Sequence, residues 1–191
     1  MIGNDVVDLK QAALDSNWRR PRFLDKVFTA EEQQLIANAL DQHQMVWLLW
    51  SMKEAAYKLY LQEFGKPFFN PKKLQCCLVS LSEGTVCVFG NTYHIQTEFV
   101  EDGLHAIATL KVSTRKYAKL FLISSASHNA QSQNVREQLL KAVCEQKCIS
   151  VSKLKVLKSN LGIPYLSVDG SRLQQSVSIS HHGRYGGFAI C

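Results

Sequence analysis

Two acidic and two basic side chains in this chain stand at spacings that suit the handling of a phosphate ester. Asp5 ends Gly3-Asn4-Asp5 near the start, and Glu54 lies within Leu49-Trp50-Ser51-Met52-Lys53-Glu54-Ala55-Ala56-Tyr57-Lys58. Carboxylates hold a hard divalent cation, and the ammonium groups of Lys53 and Lys58 balance the remaining phosphate charge. Glu54 and Lys58 are four residues apart, so on a helix they share a face. A plain surface ion pair is the simpler reading of that spacing. Trp47, Trp50 and Leu61 on the same face argue against open solvent and hold the pair near a core. Asp5 sits inside an apolar strand and needs a partner, because an unpaired buried charge is very costly; a lysine would serve as well as a metal. Asp8, three residues on, falls on the opposite strand face and is expected as a solvated or capping residue rather than a second ligand.

A third candidate is Ser178-Ile179-Ser180-His181-His182-Gly183, where a strand ends in a glycine-containing turn. Adjacent histidines on a strand point to opposite sides and make a poor chelate. One of them donating to a phosphate and neither having a role are both open readings. The chain contains no Cys/His zinc pattern, Walker-type loop or G-x-G-x-x-G.

These residues need elements to position them. Ile2–Leu9 is apolar and β-branched enough for a strand. Thr29-Ala30-Glu31-Glu32 fits a capping box opening a helix that runs to about Asp41. A long helix from about His43 to Phe64 buries Met45, Leu48, Leu49, Met52, Ala55, Ala56 and Leu59. Four short strands follow between residues 75 and 112, with turns at Glu83-Gly84, Gly90-Asn91 and Asp102-Gly103, as an antiparallel meander packed on that helix. Tyr117–Ile123 reads as another strand, residues 124–134 as a polar linker, and Val135–Gln146 as a second helix. Strands are expected at Leu154–Leu157, Tyr165–Val168, Ser176–Ser180 and Tyr185–Ile190. The expected class is α+β: two similar lobes, each a small antiparallel sheet on a helix, with residues 1–123 in the first and 135–191 in the second.

Composition narrows the class further. At 191 residues and 46% hydrophobic content the chain can bury a real core. It has no run of about eighteen apolar residues, so no membrane span is expected. Met-Ile-Gly-Asn-Asp lacks the features of a signal peptide, and the cytoplasm is the expected location. The six cysteines form no C-x-x-C and no disulfide framework and are expected reduced. The net charge of +6 is uneven: residues 1–112 carry 11 Lys/Arg against 13 Asp/Glu, and residues 113–191 carry 11 against 3. A basic second part attracts nucleic acid, phosphorylated ligands or acidic proteins alike.

The three blocks together resemble the 4′-phosphopantetheinyl transferase superfamily. Gly3-Asn4-Asp5 is similar to its G-x-D, Trp50 through Lys58 to its W-x-x-K-E-x-x-x-K, and Phe28-Thr29-Ala30-Glu31-Glu32 to its F-(S/T)-x-x-E helix start. Gly162-Ile163-Pro164-Tyr165-Leu166 resembles its G-K/R-P-x-(L/I), and Val177 through Tyr185 its S-H segment. The block order resembles the pseudo-dimeric, surfactin-synthetase-activating type with its lobes circularly permuted, and equally the small trimeric acyl-carrier-protein-synthase type; chain length and the meander at 75–112 favour the former. The resemblance implies that family's fold, with two pseudo-twofold-related lobes in one monomer. It implies transfer of phosphopantetheine from coenzyme A to a serine of an acidic apo acyl or peptidyl carrier protein, without nucleic acid or membrane. Mg²⁺ would sit between Asp5 and Glu54. Glu54 and Lys58 would be catalytic, and Asp5, Lys53, Lys58, Gly162, Pro164, Ser180 and His181 would bind the coenzyme A side, with His181 donating to the pyrophosphate.

Two positions depart from the pattern. Val7 stands where the pseudo-dimeric type carries a further glutamate ligand, and Ile163 replaces the basic residue of G-K/R-P, for which Lys153, Lys155, Lys158 or Arg172 would compensate. These departures motivate a second reading, a non-catalytic relative that binds coenzyme A or a carrier protein. A basic nucleic-acid module is a third, resting on charge alone.

Overall fold

The computed structural model describes residues 1–124 and 127–191. Strand β1 (Ile2–Asp8) leads into two short helices, α1 (Leu9–Asp15) and α2 (Phe23–Val27), then α3 (Ala30–Asn38) and the 23-residue α4 (Gln42–Phe64). A meander follows: β2 (Gln75–Leu78), β3 (Glu83–Val88), β4 (Asn91–Val100) and β5 (Gly103–Thr109). The second half contains β6 (Tyr117–Leu122), α5 (His128–Lys147), β7 (Leu154–Lys158), β8 (Pro164–Val168), β9 (Ser171–His182) and β10 (Tyr185–Ile190). The strands form two five-stranded antiparallel sheets, ordered β1-β5-β4-β3-β2 and β6-β10-β9-β8-β7. Each half thus enters by a strand, crosses through helix, and returns as a four-stranded meander whose last strand pairs with the first. The result is an α+β fold of two similar lobes.

Local chemistry accounts for the boundaries. Thr29 and Glu32 close the expected capping box, each side chain bonding the other's backbone N–H. Asp41 caps α4, and Gly65 ends it in the left-handed region at φ 64°. The stripe Met45, Leu48, Leu49, Met52, Ala55, Ala56 and Leu59 is buried against Val86, Tyr93, Ile95, Leu104 and Ala106. In the second lobe Val135, Leu139, Ala142 and Val143 follow helical spacing and pack on Leu154, Leu166, Val177 and Phe188.

Two local expectations are corrected and a third is narrowed. The helix after the linker begins at His128 rather than Val135, because polar Gln131 is buried and bonded rather than solvated. Strand β6, grouped with the first lobe on sequence, pairs with β10 of the second sheet. Of the two readings of Asp8, capping holds and solvation does not: its carboxylate caps α1 through Lys10 and Gln11 N–H and takes a two-pronged contact from Arg184 at 2.8 Å on each oxygen. Burial opposes its charge, but the Arg184 side chain, its N–H and that of Gln11 outweigh this and lower the Asp8 pKa to about 2.

The lobes meet along the outer edge of β1. The N–H groups of Ile2, Asn4, Val6 and Asp8 donate to Ser176 Oγ, Ser178 Oγ, Ser180 Oγ and His182 Nδ1 at 3.0, 3.0, 3.2 and 3.0 Å. Alternate side chains of β9 therefore supply what a neighbouring strand would supply by backbone. Gln62 Nε2 and Lys58 Nζ donate to the carbonyls of Ile2 and Asn4, each at 2.8 Å. On the other side, β1 presses against α4 so closely that a Cβ on Gly3 would stand 2.0 Å from Ala55 O and 2.9 Å from Leu59 N. Those neighbours are helix backbone and cannot rotate away. Gly3→Ala is therefore expected to cost about 3 kcal/mol or more, beyond ordinary overpacking, read as a lowered urea midpoint at unchanged slope.

Candidate active site

Asp5 is 9% exposed on β1, where its Oδ1 accepts from Ser180 Oγ at 2.9 Å and Lys58 Nζ at 3.1 Å. Ser180 is itself oriented, since it accepts from Val6 N–H while donating to Asp5. Lys58 directs two of its three donor hydrogens to Asn4 O and Asp5, leaving one for a ligand. Glu54, one turn back on α4, shares with Asp5 a cleft of about 260 Å³, also bordered by Trp47, Trp50, His181 and His182. Burial first, then the negative charge of Asp5, push the Glu54 carboxyl up to about 7, with Lys58 only partly offsetting them.

Lys58 stands between two clefts. On its far side, about 240 Å³ is lined by Lys158, Gly162, Ile163, Pro164 and Ser178. Gly162 adopts φ +76° with open space around its Cα, and its N–H donates to Ser159 O at 2.9 Å. A groove of about 850 Å³ continues past Pro164 and Tyr165 to Arg172, whose guanidinium lies 4.6 Å over the Tyr165 ring. Of the expected compensating cations, Lys158 borders the cleft and Arg172 the groove, while Lys153 pairs with Asp169 at 3.5 Å.

Asp5, Glu54, Lys58, Ser180 and His181 are thus brought together, with Gly162 and Pro164 across Lys58. Lys53 is not. Its ammonium is 1% exposed, 2.8 Å from Glu32 Oε2, and donates to the carbonyls of Pro71 and Leu74. One residue before Glu54 it lies about 100° around the helix, so it serves as the partner of a buried carboxylate instead of binding a ligand. Sequence reasoning missed Gln62, Ser176 and Gln131, and it named Ser178 within the candidate segment without a role. The period-two hydroxyl row Ser176, Ser178, Ser180 was a readable signal; Gln62 and Gln131 carried none.

The donor set fits a divalent cation. No hydrogen-bond donor among the described residues reaches Asp5 Oδ2 or either Glu54 oxygen, and the two carboxylates repel each other. Among the described residues no group of three or more His, Cys, Asp or Glu side chains converges, so protein would supply two carboxylates, with buried Val7 adding none. No described helix is long and apolar enough to cross a membrane, and all six cysteines are unpaired thiols.

Residues 1–118 match the sequence model of the family described as ACPS: 4'-phosphopantetheinyl transferase superfamily. No curated protein matches the chain. Among solved structures it is similar to Thermotoga maritima holo-[acyl-carrier-protein] synthase (AcpS), at 15% identity over 90% of this chain and 83% of that one, with a TM-score of 0.43.

Two outcomes follow from this geometry. Lys53→Met leaves Glu32 charged and buried, and is expected to cost about 3–5 kcal/mol of unfolding free energy. Glu54 binds its proton more tightly folded than unfolded, so its effect on stability is unfavourable above its ordinary pKa of 4.5 and grows until pH passes about 7. Glu54→Gln should therefore raise the unfolding free energy by roughly 2–3 kcal/mol at about pH 8 in metal-free buffer, with the gain gone at about pH 4.

Proposed function

Because this chain belongs to the 4′-phosphopantetheinyl transferase superfamily, by the match over residues 1–118, we propose that it moves the phosphopantetheine arm of coenzyme A onto a serine of an apo carrier protein. The observation that carries this reading is the convergence of Asp5 and Glu54 from the first lobe with His181 from the second around one cleft, with Lys58 and Ser180 bonded to Asp5.

Asp5 and Glu54 are the residues that would hold Mg²⁺, which when bound supplies positive charge to the diphosphate oxygens. The serine oxygen bonds to the pantetheine-side phosphorus, and the bond to the bridging oxygen breaks, releasing adenosine 3′,5′-bisphosphate. Glu54, or a water held beside it, would take the serine proton. Lys58 directs its remaining hydrogen at the phosphate that departs with growing charge, and His181 donates to the diphosphate from the cleft wall. Gly162 and Pro164 would receive the adenine nucleotide, with Lys158 supplying the cation that Ile163 lacks. Trp47 and Trp50 carry the site into a mainly apolar cleft of about 660 Å³ lined also by Phe23, Tyr57 and Phe68, which would take the arm. The charge surplus of residues 113–191 suits an acidic carrier.

We further read the chain as the pseudo-dimeric type in permuted lobe order, acting as a monomer, since one chain supplies both walls of the site. The second reading, a non-catalytic relative, is favoured by Val7 and Ile163 and predicts coenzyme A binding without transfer. Incubation with coenzyme A, Mg²⁺ and an apo carrier, followed by intact mass, separates them. The expected result is a gain of one phosphopantetheine, lost in Glu54→Ala, and slowed about 10²–10³-fold in kcat by Lys58→Met. Saturable coenzyme A binding with no mass gain across a panel of carriers would sink the enzymatic reading.

A further inference from the structure

Gln131, in the first turn of α5, is 9% exposed and joins two parts of the site. Its Nε2 donates to Gly183 O at 2.8 Å, in the turn between β9 and β10. A carbonyl oxygen only accepts, so the amide has one workable orientation, and Oε1 is the atom that meets His181 Nδ1 at 3.1 Å. An amide oxygen also only accepts, so His181 Nδ1 must carry its hydrogen. Neutral His181 then has a bare Nε2, the opposite of the tautomer imidazole prefers in water. Neighbouring His182 is set the other way, because its Nδ1 accepts from Asp8 N–H and its Nε2 faces Asp15 at 3.3 Å. Two adjacent histidines are thus held in opposite tautomers by different partners.

We propose that Gln131 is a positioning residue for His181: it clamps the imidazole as the Nδ1–H tautomer and leaves Nε2 as the nitrogen that meets the diphosphate. This rests on the reading that the cleft holds a phosphate diester. To donate there, Nε2 must first take one proton from solvent, giving an imidazolium that bonds Gln131 at one nitrogen and the phosphate at the other. Burial lowers the His181 pKa, and the neighbouring cations Lys58 and Lys158 lower it further. His128 lies edge-on at 4.7 Å between ring centroids, while the Asp5 and Glu54 carboxylates border the same cleft. The geometry therefore assigns the hydrogen of the neutral ring to Nδ1 and leaves Nε2 toward the cleft.

The test is long-range proton–nitrogen spectroscopy of histidine-labelled, full-length protein. His181 is expected as a single Nδ1–H tautomer alone and as the doubly protonated ring with coenzyme A bound. In Gln131→Leu it should shift toward Nε2–H, with KM for coenzyme A rising about tenfold and kcat changing less. Gln131→Glu keeps an acceptor for Nδ1 and should hold hydrogen on that nitrogen, but it loses the donor to Gly183 O, so KM should recover only in part. A wild-type ring already carrying hydrogen on Nε2 would overturn the proposal, as would an unchanged tautomer and KM in Gln131→Leu. If Gln131→Leu fails to fold, the wild-type and Gln131→Glu spectra decide. A wild-type protein that transfers nothing yet shows the Nδ1–H ring would refute the transferase reading and leave the clamp standing.

Discussion

The outer edge of β1 is the constraint on which the rest of the structure depends. A sheet edge exposes alternate N–H and C=O groups that must find partners if they are buried. Here β1 is buried on that edge, and its partners are side chains: the alternating hydroxyls and imidazole of β9, with Gln62 and Lys58 from α4. Closing the edge this way does more than seal the lobe interface. It places Ser180 against Asp5, sets His181 on the cleft wall, and brings Lys58 to the carboxylate through the neighbouring carbonyl of Asn4. The polar satisfaction of one strand and the assembly of the site are the same set of hydrogen bonds.

The site built on that edge is electrostatically unfinished. Asp5 is held by two donors, while Glu54 remains largely buried, beside a like charge and short of partners, which holds its carboxyl near 7. Such an arrangement weakens the folded protein at neutral pH and is relieved by positive charge. Elsewhere the chain treats buried acids differently. Glu32 is closed off by Lys53 and by the N–H groups of Thr29 and Cys76, and Asp8 by Arg184 and two helix amides. The contrast singles out Glu54 on physical grounds alone.

Both lobes share a topology, yet only one carries the acidic pair. Hairpins β4–β5 and β9–β10 have turns of the same length, so their registers align: Asp5 opposite Ala106 corresponds to Lys119 opposite Phe188. The strand matching β9 is β4, where His94, Gln96 and Glu98 stand in place of Ser176 through Ser180. The first lobe contributes both carboxylates and Lys58, and the second contributes the Ser180 hydroxyl, His181 and the neighbouring Lys158.

Much of this was legible in sequence. Helical periodicity showed the buried face of α4, the Thr29–Glu32 pair marked its neighbour's start, and spacing placed Glu54 and Lys58 on one face. These are properties of residues a few positions apart, governed by helix and strand geometry. What tertiary structure decided is where each buried charge finds its partner. Lys53 went to Glu32, Asp8 to Arg184 across 176 residues, and Gln131 to His181 across 50. It also decided that β6 belongs to the second sheet. A side chain's period reveals the face it lies on, but the atom opposite is supplied by a distant segment, and only the packed chain brings that atom within hydrogen-bonding distance.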